Sequence, residues 1–455
     1  MTDKATKLCP DLVYRFLQWF ALFLTILAFF VDSIFEIWNG LKAIAISPSN
    51  LLTDYFEIGG LGATLLNAGL LTFLSLFILR KHEHHFSPNT VLTIMLLAGY
   101  AFWGKNLFNS LPIMVGLVTY LKKEHNESQI DIAAGLLGTA LAPAVSIVFF
   151  YSDSWSMKTM ALLLGFLIGY TIVPIFKKVR DYTKGLNLYN MGFAAGVASI
   201  GVNFIVKRML NIPVPLSKSE ALHGNEIFYV LVTLFMVIFL YGVYIFFAHH
   251  FMGIKKGKII IGFNHHRFSL KDTMRIFRFS IYGWLGILIV RLFDGQLNGP
   301  VAGTILIFTG FSMYHFHFKD YFFPAIGVVA SYALFYPEAS ITTKLIAVLF
   351  VSTMAPFSKK YGILLGFFSG LFFPIISKQL NVLHDGINLY NSGFAGGVTA
   401  IVLSFIYLQL QRIPLINKLL EQKRPAWNAK FFKKGAIYLK KIPLNHRIEL
   451  VSTKP

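Results

Sequence analysis

One stretch of the chain occurs twice, and its residue types suit the handling of a solute. The first copy runs Gly185-Leu-Asn-Leu-Tyr-Asn-Met-Gly-Phe-Ala-Ala-Gly196, the second Gly386-Ile-Asn-Leu-Tyr-Asn-Ser-Gly-Phe-Ala-Gly-Gly397. Asn187 and Asn190 are three apart, as are Asn388 and Asn391, so each pair shares a face if its stretch is helical. Amide side chains donate and accept hydrogen bonds without carrying charge, which fits a neutral polar solute. Tyr189, Phe193, Tyr390 and Phe394 would line the passage beside them. Gly192 and Gly196, like Gly393 and Gly397, form small-xxx-small pairs that let another helix approach closely. The plainer alternative is that the glycines pack helices while the asparagines cap a helix start or bond across it. Two copies related by inversion would face one central site, which favours the solute reading for the pair.

Two polar knots form a second set. Lys105, Asn106 and Asn109 interrupt one apolar hairpin; His315, His317 and Lys319 interrupt another. Ionisable groups at membrane depth are functional candidates. If the hairpins cross fully, the same residues are wetted loops. Pro88 and Pro300 suit the first turn of half-helices, whose N–H groups can hold a solute. The clusters His82-Glu-His84-His85, His249-His250 and His265-His266 fall beside basic loops. Adjacent histidines do not share a helical face, so a metal site would need partners from elsewhere.

The composition says what must position these groups. The chain has 455 residues, 55% hydrophobic and 14% charged, with mean hydropathy +0.62. A soluble chain would carry about 25% charged residues. This is a polytopic membrane protein. Cys9 is the single cysteine, so no internal disulfide or cysteine-based metal cluster forms. Val13 to Glu36 is long enough to span and lacks a cleavage site. A charge of +20 would suggest nucleic acid in a soluble chain. Here the basic residues sit at helix ends and in the tail, as the positive-inside rule requires. Lys4, Lys7 and Arg15 place the N-terminus in the cytoplasm of a cell-membrane protein, and the basic C-terminus joins it. Lys433, Lys434, Lys440 and Lys441 among Trp427, Phe431 and Phe432 describe an interfacial segment on anionic lipid.

The duplication extends beyond the box. Pro88 matches Pro300, Gly99 matches Gly310, and Pro112 matches Pro324. Leu163-Leu-Gly165-Phe-Leu-Ile-Gly169 matches Leu364-Leu-Gly366-Phe-Phe-Ser-Gly370, and Ile212-Pro213 matches Ile413-Pro414. Each unit reads as about seven apolar segments, an odd number, so the second unit is inverted. The loop before the first box, Lys177 to Arg180, is basic; that before the second, Gln379 to Asp385, is not. The expected fold is an all-α polytopic membrane protein of two inverted-topology repeats, each with a re-entrant hairpin. Residues 1–210 form the first repeat, 211–225 a linker, 226–410 the second repeat and 411–455 a basic cytoplasmic tail.

The two boxes, with Pro88-Asn-Thr-Val-Leu-Thr and Pro300-Val-Ala-Gly-Thr-Ile-Leu, resemble an uncharacterised prokaryotic multipass family, a domain of unknown function. That resemblance covers nearly the whole membrane region and implies no activity. Gly185 to Asn190, Gly386 to Asn391 and Asn298-Gly-Pro300 are also similar to stretches of urea transporters. That likeness implies inverted repeats, a pore in each protomer and a homo-oligomer. The extra residue between Asn298 and Pro300, the additional helices and the missing pore carboxylate depart from it.

There is no phosphate-binding loop, zinc-protease helix, serine-hydrolase elbow or Asp-rich cluster. No catalytic residue or cofactor is expected. Acids are nearly absent from span centres, with Asp32 near a helix end, and coupled carriers usually need them. The expected function is a channel or facilitator for a small polar, neutral solute. The alternatives are an ion-coupled carrier of an organic anion, using Lys105 and the histidines, and, further off, a membrane enzyme.

Overall fold

Apolar runs dictate helices here, because lipid leaves backbone N–H and C=O groups no partner but each other. The computed structural model describes residues 10–82, 87–124, 127–182, 189–214, 221–251, 258–260, 265–267 and 270–412. Among these, ten helices are long and apolar enough to cross a membrane, and two shorter apolar helices accompany them. The protein is an all-α polytopic membrane protein. A pair of three-residue strands, β1 (Lys258–Ile260) and β2 (His265–Arg267), forms an antiparallel ribbon.

Helix α1 (Pro10–Val31) runs antiparallel to α3 (Tyr55–His82). Gly69 lies against Thr25, and the Arg80 guanidinium sits 4.6 Å over the Tyr14 ring. The sequence expectation carried the first span on to Glu36. Instead a separate amphipathic helix, α2 (Ile34–Ile46), begins there. Ser33 caps it: its hydroxyl accepts the Glu36 N–H at 3.3 Å, and the Glu36 carboxylate accepts the Ser33 N–H at 2.8 Å. These bonds hold the Glu36 carboxyl below its ordinary range. Such a reciprocal box starts a helix wherever it forms. Asp32 has a structural job too. Helix α3 is kinked at Gly60, whose φ of 78° breaks the ladder, and the Asp32 carboxylate accepts the Gly62 N–H at 2.7 Å.

Next come α4 (Pro88–Tyr100), α5 (Leu107–Lys123), α6 (Gln129–Leu137), a 3₁₀ turn at 138–141, α7 (Pro143–Phe149), α8 (Trp155–Tyr182) and α9 (Asn190–Asn203). The second half follows: α10 (Gly224–Phe251), α11 (Leu270–Leu292), α12 (Gly299–Tyr314), α13 (Phe318–Phe335), α14 (Ile341–Phe350), a 3₁₀ turn at 351–354, α15 (Ala355–Tyr361), α16 (Ile363–His384) and α17 (Asn391–Leu410). The expected linker at 211–225 is shorter than read, since α10 starts at Gly224. Residues 215–220 and 413–455, with most of the tail, lie outside the described residues. The described residues up to Ala400 form one compact unit; the end of α17 belongs to a second.

The element order of α4 to α9 recurs in α12 to α17, down to local devices. Ser87 and Asn298 cap the two half-helices. Reciprocal boxes start α5 (Asn106 with Asn109) and α13 (His317 with Asp320). A Cβ on Gly116 would strike the Phe166 carbonyl, and one on Gly327 the Phe367 carbonyl, so α5 seats against α8 as α13 does against α16. The caps shift the expected register by one: Pro88 corresponds to Gly299 rather than Pro300, and Pro112 to Phe323. Proline fits either opening position of a helix, so it is a weak ruler. Gly99 and Gly310 remain paired. Through the middle, α4 and α12 pack antiparallel, with Gly99 on the Gly303 carbonyl and Gly310 on Met95.

Candidate functional site

The second box is a turn followed by a helix. Asp385 (φ 48°) and Gly386 (φ 80°) reverse the chain, and α17 starts only at Asn391. Asn388 therefore does not share a helical face with Asn391. Its Oδ1 accepts the Tyr390 N–H at 3.0 Å and its carbonyl the Asn391 N–H at 3.2 Å. Asn391 is held by α16: Oδ1 lies 3.0 Å from His384 Nε2, and Nδ2 donates to Ser377 Oγ at 3.0 Å. In the first box Asn187 lies outside the described residues. Asn190 is buried at the start of α9, and the Tyr189 hydroxyl donates to the Thr353 carbonyl at 3.1 Å.

The two boxes meet where α9 crosses α17. A Cβ on Gly192 would overlap the Gly393 backbone, and one on Gly196 would overlap the Phe394 ring. Gly397 lies on Phe193, and the Phe193 and Phe394 rings pack edge-on with centroids 5.7 Å apart. Equivalent residues thus touch each other, and the glycine faces leave no space for a solute between them.

Space exists beside the second box. A cavity of about 560 Å³ is lined by Leu389, Asn391 and Ser392 of the box, by Trp103 of the first hairpin, and by α13, α14 and α16. Its wall is chiefly apolar and aromatic, with Tyr332, Phe350 and Phe373; Ser377, Asn381 and Asn391 supply polar points. The Lys378 ammonium sits 4.3 Å over the Tyr336 ring at this end of the bundle.

The polar residues of the first hairpin tip, Lys105, Asn106 and Asn109, are fully buried. Asn67, in mid α3, holds the tip: Nδ2 donates to the Ala101 carbonyl at 2.9 Å and the Lys105 carbonyl at 3.1 Å, and Oδ1 accepts the Leu107 N–H at 3.1 Å. Asn106 Nδ2 donates to the Ile44 carbonyl at 3.0 Å and to Tyr55 Oη at 3.1 Å. Asn109 Nδ2 donates to Ser146 Oγ and the Gly104 carbonyl, each at 3.1 Å. Sequence reasoning missed Asn67; its signal was a lone amide inside the apolar run from Tyr55 to Leu79.

The second tip differs. His317 is an exposed cap, and His315 is half-buried at the C-terminal end of α12. Between them Phe316 packs among Tyr282, Phe308 and Tyr321, with ring centroids 5.4 to 5.7 Å away. The antiparallel packing of α4 and α12 sets the tips at opposite ends of α4, about 20 Å apart at 1.5 Å per residue. The structure does not bring Lys105 and the histidines together.

The end of the bundle away from the cavity is tied by charge. Lys177 pairs with Glu127, and Arg180 with Asp131 at 2.7 Å; the Tyr120 hydroxyl donates to Glu127 at 3.0 Å. Lys177 occupies on α8 the place that Lys378 has on α16. Among the described residues no carboxylate pairs with Lys378, and none group into a set of three that could hold a metal ion.

No curated protein and no solved structure matches the chain. Residues 33–208 and 268–408, well over half of it and including both hairpins and the described part of both boxes, match the family described as Protein of unknown function (DUF1576), and the chain belongs to that family.

Proposed function

We propose that the protein moves a small organic solute across the cell membrane by alternating access, with the solute held beside the second box. One observation carries this reading: the cavity is lined by Asn391 and Ser392 but by no described residue of α9, and the next residue of α17, Gly393, is packed against Gly192. An inverted-repeat arrangement is part of this reading. Antiparallel α4 and α12, and glycines that meet their own equivalents, fit a two-fold axis in the membrane plane, the usual frame of secondary transporters. The positive-inside rule puts Lys122, Lys123, Lys177 and Arg180 in the cytoplasm with the N-terminus. The Lys177–Glu127 and Arg180–Asp131 pairs then close the inner side while the cavity faces out. A channel for a neutral solute is the second reading; the amides of Asn381 and Asn391 favour it. Neither reading assigns a catalytic residue.

Labelling decides between them. With Cys9→Ser as background, Ser392→Cys should react with a membrane-impermeant maleimide from outside intact cells and not in inside-out vesicles. Glu127→Gln, which loosens the inner closure, should shift reactivity toward the inside several-fold. Equal labelling from both sides would make the protein a channel, and labelling from neither would remove the site.

A further inference from the structure

Four hydrogen-bond donors at the junction of the first hairpin tip and the second box have no partner among the described residues. They are Lys105 Nζ, Trp103 Nε1, Tyr100 Oη and Asn388 Nδ2. Each belongs to a residue no more than 1% exposed. The junction is continuous. The Tyr100 ring lies 5.1 Å from Trp103 and 6.2 Å from Tyr390, and Gly104 abuts the Leu389 side chain. Trp103 and Leu389 also form part of the cavity wall. Trp103 is thus a wall residue itself, and Tyr100, Lys105 and Asn388 each lie within three positions of a wall residue along the chain.

From these groups we infer that the junction binds the carboxylate of an organic monoanion, with Lys105 as the countercharge and the aromatic cavity holding the rest of the molecule. The site is the one proposed above, now given a substrate class. Ammonium, indole and amide N–H groups only donate, so what they lack is an acceptor. A buried donor left unpaired costs about 1–3 kcal/mol, and a charged one more. Native proteins leave few such groups, and those at membrane depth are functional candidates. The fold does not need the ammonium. Asn67 binds the tip through backbone atoms alone, and the other hairpin places Phe316 at the corresponding step. One cation among neutral donors suits one negative charge. Tyr332, Phe350 and Phe373 suit an apolar or aromatic body.

Calorimetry on the purified full-length protein in detergent tests this with 3-phenylpropanoate and its neutral amide, 3-phenylpropanamide. The wild type should bind the acid at least tenfold more tightly than the amide. Lys105→Gln should abolish that preference, Lys105→Arg should keep part of it, and Asn388→Ala should weaken acid binding several-fold. Equal affinity for acid and amide, a preference that survives Lys105→Gln, or no binding of either compound at millimolar concentration would each overturn the inference. If Lys105→Gln does not fold, the wild-type acid-to-amide ratio and Asn388→Ala still decide. The transport reading fails separately. Acid-selective binding with Ser392→Cys labelled equally from both sides would leave the anion site and remove alternating access.

Discussion

The two hairpin tips share a scaffold and differ in what it holds. In each, a half-helix ends, the chain turns through six residues in the first (101–106) and three in the second (315–317), and a reciprocal capping box starts the return helix. At the step before the cap, the first tip buries Lys105 with no partner for its ammonium among the described residues, while the second buries Phe316 in a ring cluster. The second tip spends its burial on packing, and its polar residues His317 and Lys319 face outward. The first is wrapped by α2, Tyr55 and Asn67, and its polar residues point inward. Beside the second tip the Tyr314 hydroxyl and His315 Nε2 are also buried without a partner among the described residues, so what sets the first tip apart is its buried ammonium.

Four substitutions would break or sharpen that contrast. Phe316→Ala should cost the most, on the order of 3–5 kcal/mol, because it empties a packed aromatic site. Thermal unfolding in micelles would read it, and a loss under about 1 kcal/mol would deny the anchoring role. Lys105→Met should move stability the other way, by about 1–4 kcal/mol upward, since an apolar chain replaces an uncompensated buried charge. A lower melting temperature would mean that the ammonium is satisfied within the fold. The smallest contrast lies between the caps. Asn106→Ala should cost about 2 kcal/mol, because its amide also serves the Ile44 carbonyl and Tyr55. His317→Ala, exposed, should stay within about 0.5 kcal/mol. Equal losses would erase the difference between a buried and a wetted turn.

Much of this architecture was legible in local pattern. The run from Tyr55 to Leu79, the proline-led half-helices, the glycines of α8 and α16 and the repeated box all announce themselves within a few residues. The expectation read one span from Val13 to Glu36 and missed the helix start that Ser33 and Glu36 make. The boxes were the harder case. Asparagines three apart suggested one helical face, yet the left-handed Asp385 and Gly386 place Asn388 in a turn before α17.

By itself, then, the sequence determined the membrane class, the duplicated order of elements and the capping chemistry. Each of these follows from bonds that close within four residues or from the length of an apolar run. Only the tertiary structure decided which polar groups are satisfied. Asn67 meets Lys105 across 38 positions and Tyr189 meets Thr353 across 164, and no local spacing encodes such meetings. Lys105, Asn109 and His315 look alike as polar breaks in apolar hairpins. Packing around the tips left one as a buried donor awaiting an acceptor, tied the second to Ser146, and set the third at the opposite end of α4.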